Sequence, residues 1–164
     1  MPENKIVPDE EQKEDLISRR GFEQFIKAAD RDNPVTVILR SHLLAEYYLD
    51  QLLIGNMARG DIFIKENFTF RNKIIVAEAM HILPGNYIES LKGLNSVRND
   101  CSHVKDYAIS ERDIDKIGLS FGKKYLELKY KHKDLQDLLF HTLMFLIAGL
   151  CVNISMMIEK TKSK

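Results

Sequence analysis

Apolar residues recur at three- and four-residue spacing along most of the chain, and no segment of any length alternates with the period of a strand. A first helix is expected from about Glu11 to Ala29, carrying Leu16, Ile17, Phe22, Phe25 and Ile26, and Asp30 to Pro34 stops it. Asn33 before Pro34 is a start signal for a second helix, a cap residue ahead of proline at the first helical position. That helix is expected to reach about Ala58, with Val35, Ile38, Leu39, His42, Leu43, Leu49, Leu52 and Leu53 forming a wide apolar face. Asp61 to Thr69 reads as a connection pinned by Phe63 and Phe68.

A third helix is expected over about Phe70 to Leu83, with Ile74, Ala77 and His81 on one stripe. A fourth runs from about Tyr87 to Ser102, with Leu91, Leu94 and Val97 facing inward. Ser110 followed by Asp113 is a capping-box variant that opens a fifth helix to about Lys131. Its inward residues are Ile114, Ile117, Phe121, Tyr125 and Leu128, and Gly118 and Gly122 weaken it. Asp134 caps a sixth, running to about Glu159. The pattern predicts an all-α antiparallel bundle of about five to six helices. A charged lead-in at 1–15 precedes a single domain at 16–160.

Within the sixth helix, Leu138 to Ile158 holds no charged residue and is long enough to cross a bilayer. The centre of a bundle or a dimer interface demands the same composition. The polar N-terminus has no hydrophobic segment of the secretory kind. The expectation is therefore a cytoplasmic protein without a membrane partner, with a tail anchor at residues 138–158 as the alternative.

Charge narrows the partners. Lysine plus arginine (24) cancels aspartate plus glutamate (24), which excludes broad, sequence-independent duplex binding but leaves room for a local basic cleft. Cys101 and Cys151 have no metal spacing and read as reduced thiols. No two of His42, His81, His103, His132 and His141 have helix-ligand spacing, so neither a metal nor a cofactor is expected. No nucleophile elbow or glycine-rich phosphate loop is present.

The remaining chemistry lies in Leu91 to His103, where an apolar stripe ends in Arg98, Asn99, Asp100, Ser102 and His103. An arginine fork grips phosphate, and a histidine moves protons near neutral pH. Together they are parts for metal-free RNA cleavage through attack of the 2′-hydroxyl on phosphorus. Arg98 and His103 lie five residues apart, roughly 140° around a helix. One chain supplies one such histidine, so acid–base chemistry needs a second copy from a twofold partner. On spacing alone, a solvated helix end with a dipole-favoured histidine is the commoner explanation.

The segment LNSVRNDCSH, closing a helix late in an all-helical domain, resembles the HEPN superfamily, whose motif is an arginine, a short spacer opening with a polar residue, and a histidine. LLAEYYLDQLL on an early helix, and the short aromatic-bearing loop after the motif, look like the mannitol-repressor-like branch and its relatives. The resemblance implies a homodimeric bundle with two motifs facing a shared cleft. For active members it implies a metal-independent endoribonuclease, often a toxin or antiphage effector with an antitoxin partner. Arg98 and His103 would then be the catalytic pair, with Asn99 orienting the site. It equally admits a non-catalytic regulatory or partner-binding relative.

Other residues have two readings. Glu46 and Asp50, four apart, salt-bridge Arg98 or help place a base in one reading and form a solvated edge in the other. His42 reads as a hydrogen-bonded core histidine. Of Tyr47 and Tyr48, one belongs to the core and the other is free to stack on RNA, and Tyr107 is the aromatic expected beside the cleft. Lys123, Lys124, Lys129, Lys131, His132 and Lys133 form either a phosphate guide or a solvated face.

Overall fold

The computed structural model describes residues 33–162. The lead-in at 1–15 and the helix expected over 11–29 lie outside the described residues. Helix α1 spans Pro34–Asn56, α2 Gly60–Lys65, α3 Phe70–Ala79, α4 Gly85–His103, α5 Glu111–Gly118, α6 Lys123–Lys131 and α7 Leu135–Lys162. No strand occurs among the described residues, so the chain forms an all-α bundle.

The predicted caps are in place. Asn33 accepts the N–H of Thr36 at 3.1 Å, and Pro34 opens α1. Asp113 Oδ2 accepts the Ser110 N–H at 2.9 Å and its hydroxyl at 2.6 Å, fixing the start of α5. Asp134 accepts the N–H of Asp137 at 2.9 Å at the start of α7. Each satisfies a backbone group that the first helical turn leaves without a partner.

Three boundaries differ from the sequence reading. The short helix α2 occupies most of the expected 61–69 connection, and its Phe63 stacks on Phe68 beyond the helix, with centroids 4.2 Å apart. The helix from Phe70 ends at Ala79, because His81 turns left-handed at φ 52°. The His81 N–H then donates to Glu78 O and the Ile82 N–H to Ala77 O, each at 3.0 Å, the paired closure that satisfies carbonyls at a helix end. His81 is thus an exposed terminator rather than a stripe residue. The helix expected over 111–131 is two, separated by a 3-10 turn at Leu119–Phe121 and by Gly122 at φ 56°, a conformation glycine adopts without a Cβ penalty. Ile114, Ile117 and Tyr125 stay buried across this break.

The core forms where α7 lies along α1, the broadest interhelical contact in the fold. Val37, Ile38, Ala45, Leu49, Leu52 and Leu53 of α1 are buried together with Leu139, Leu143, Leu146, Ile147, Leu150 and Ile154 of α7. Among the described residues, α7 alone is long and apolar enough to cross a membrane, and half of its most apolar window is buried within the fold. Helix α4 adds the predicted stripe of Leu91, Leu94 and Val97, all fully buried, and α5 packs against both α4 and α7.

The α4–α5 approach is closest at Gly93. A Cβ there would lie 2.0 Å from the carbonyl oxygen of Lys116, so backbone meets backbone with no flexible atom to yield. Gly93→Ala is expected to destabilise the fold by about 1–3 kcal/mol or more, the cost of overpacking a close contact. Urea denaturation checks this, and a midpoint equal to wild type would show that the two helices do not approach so closely.

Candidate functional site

The last two turns of α4 emerge from the core after Val97, and there the side chains become polar. Arg98 and Asn99 are half-buried, and the Arg98 Nη1 donates to Asn99 Oδ1 at 3.2 Å. Among the described residues, no carboxylate pairs with Arg98. Asp100, on the neighbouring position, pairs with Lys116 of α5 at 3.1 Å.

Glu46 and Asp50 make no ion pair with Arg98. Both face Lys73 of α3, whose Nζ lies 2.8 Å from Glu46 Oε1 and 2.8 Å from Asp50 Oδ1. Lys73 is buried, 7% exposed. Burial pushes its pKa down, but the hydrogen bonds to Asp50 and Glu46 outweigh that and hold it raised. Asp50 is also raised, because burial of its carboxylate outweighs the attraction of Lys73. Nothing in the one-dimensional spacing marks Lys73 as the partner. It follows from α3 crossing α1.

His42 is a core histidine, as expected, but its Nε2 is buried without a hydrogen-bond partner. Its ring meets Phe70 edge-on at 4.3 Å. Burial depresses its pKa first, the charge of Glu46 opposes this, and the positive charge of Arg98 adds to the depression. Arg98 therefore sits within electrostatic reach of a neutral, half-satisfied imidazole.

His103 is exposed in the final turn of α4 and has no hydrogen bond or ion pair among the described residues. No hydrogen bond joins it to Arg98, as the angle between the two positions requires. Ser102 donates its hydroxyl back to the Arg98 carbonyl at 3.0 Å. Tyr107 is half-buried with its hydroxyl enclosed beside Asp113, and burial followed by that carboxylate raises its phenol pKa. Tyr48 belongs to the core and Tyr47 is half-buried beside it. The Cys101 thiol is pushed up to about 11, by burial first and then by Asp113 and Asp100, which argues against a nucleophilic thiolate.

Two lysines of the 123–133 run are ion-paired. Lys129 pairs with Glu111 and Asp115, Lys124 with Glu127, and Lys133 lies over the Tyr130 ring. One further cluster escaped the sequence reading: His132, Asp137 and His141 converge where α6 passes into α7. The i,i+4 pair Asp137 and His141 is the part of it that spacing along the chain carries, while His132 joins only through the turn between the helices.

Two outcomes follow. Lys73→Met strands two carboxylates in a part-buried setting and is expected to cost about 3 kcal/mol, the low end for a broken buried pair. Removing all three charges together should restore most of that loss in urea denaturation. For His42, the folded pKa lies below the unfolded value of about 6.5, so the unfolded chain takes up the proton first as pH falls. Its contribution is fully present above about pH 6.5 and is lost as pH falls toward the folded pKa. His42→Gln should flatten stability between pH 7 and pH 5, measured by urea midpoints at each pH. Comparison of the chain with protein-family models, curated proteins and solved structures gives no match.

Proposed function

We propose that this protein is a dimeric, metal-independent endoribonuclease in which Arg98 binds the scissile phosphate and His103 transfers protons. The observation that carries the reading is Arg98 itself. It is a half-buried guanidinium that pairs with no carboxylate among the described residues, Glu46 and Asp50 facing Lys73 and Asp100 facing Lys116, which leaves its fork open to a phosphate. Beside it, Asn99 orients the fork.

His103 is unencumbered, which suits a group that must exchange protons with substrate and solvent. A base removes the proton of the 2′-hydroxyl, the 2′-oxygen bonds to phosphorus, and the bond to the 5′-oxygen breaks as that oxygen takes up a proton. Arg98 stabilises the charge gathering on the phosphoryl oxygens. One His103 serves as base and a second, from a twofold partner, as acid. A cellular role as a toxin or phage-defence effector held by an antitoxin partner fits such an activity. A second reading, a non-catalytic regulatory module, keeps Arg98 as an anion anchor and is favoured by the lack of any Arg98–His103 contact within one chain.

The test is incubation of labelled RNA with the full chain in EDTA. Arg98→Ala and His103→Ala are each expected to slow cleavage at least about 100-fold, the usual worth of a positioned acid–base group, with unchanged melting temperature. Cleavage surviving both substitutions would remove the nuclease reading. RNA binding that depends on Arg98 without cleavage would establish the regulatory one.

A further inference from the structure

We propose that His132, Asp137 and His141 form a binding site for one zinc-class divalent ion, clasping the end of α6 to the start of α7. The local chain path builds the site. Helix α6 ends at Lys131, and His132 follows in extended conformation with its N–H on Leu128 O at 2.8 Å. Asp134 then caps α7, and the reversal lays the His132 ring on the His141 ring, centroids 3.7 Å apart and 15° from parallel. Asp137 and His141 lie one turn apart on α7 and share a face.

Both imidazoles address the same carboxylate. His132 Nδ1 is 2.5 Å from Asp137 Oδ2, and His141 Nδ1 is 3.2 Å from Asp137 Oδ1 and 2.9 Å from the Asp137 carbonyl oxygen. One donor atom from each of the three residues lies within 4.8 Å of the others. The first contact is tighter than the roughly 2.7–3.2 Å of an ordinary N–H···O bond. Zinc would take one ring-nitrogen lone pair from each imidazole, with a change of tautomer where Nδ1 donates to Asp137, and one carboxylate oxygen.

Imidazole nitrogen with one carboxylate selects zinc, cobalt or nickel over magnesium or calcium, which prefer all-oxygen shells. Zinc bonds of about 2.0–2.1 Å place tetrahedral donors about 3.4 Å apart. Closure therefore takes roughly an ångström of adjustment. The side chains of His141 (34% exposed) and Asp137 (38%) have room for it, while His132 (10%) is held in place. Three protein ligands leave the fourth position to water. None of the three belongs to the Arg98 site, so either proposal can fail alone.

The full chain, stripped with EDTA and freed of chelator, is titrated with zinc chloride by calorimetry in a non-coordinating buffer. One ion per chain is expected, with micromolar or tighter affinity and a raised melting temperature. His141→Gln and Asp137→Asn should each weaken binding at least tenfold, and His81→Gln should leave it unchanged. Cobalt should give the intense visible bands of a tetrahedral nitrogen–oxygen site in wild type and lose them in His141→Gln. No saturable binding, equal affinity in a folded H132Q/H141Q variant, or displacement of zinc by millimolar magnesium would overturn the site.

Discussion

The fold depends on enclosing α7. Between Leu138 and Ile158 this helix carries no charge, so water is a poor neighbour for most of its circumference. Helix α1 supplies the longest matching surface, and the two bury their leucines and isoleucines against each other. With that pair set, α4 has a fixed place for its stripe of Leu91, Leu94 and Val97. The polar end of α4 is then held at the margin of the core, because the apolar half cannot slide without exposing leucine.

That placement separates the charges in a definite way. Helix α3, crossing α1, inserts Lys73 between Glu46 and Asp50, one cation holding two carboxylates. Asp100 is drawn off by Lys116. Among the described residues, Arg98 hydrogen-bonds the neutral amide of Asn99 and pairs with no carboxylate. A net-neutral protein thereby holds an arginine with no ion pair among the described residues, a local feature that the overall charge count does not show. His42 lies within electrostatic reach of the same cation, whose charge adds to the burial that lowers the imidazole pKa.

The clasp at His132 and the tip of α4 illustrate two routes to a reactive cluster. At the α4 tip, neighbouring positions of one helix carry the groups, and helix geometry keeps Arg98 apart from His103. A second copy of the chain must complete the chemistry proposed there. At the α6–α7 junction, a tight reversal brings one residue back onto the first turns of the next helix. There a single chain suffices, and the geometry is set by a cap at Asp134 rather than by the core.

Periodicity and caps are local properties, and the sequence alone determined what they govern. The all-α class, the starts at Asn33, Ser110 and Asp134, and the buried stripe of α4 were legible because each rests on groups within one helical turn. Helix ends at His81 and Gly122 were less so, since a left-handed residue other than glycine leaves little trace and a glycine in a periodic run permits either outcome. Pairings across helices were decided only by tertiary structure. Whether Glu46 and Asp50 meet Arg98 or Lys73, and whether His132 meets His141, depends on crossing positions set by the packing of whole helices. No spacing rule along one strand of sequence contains that information.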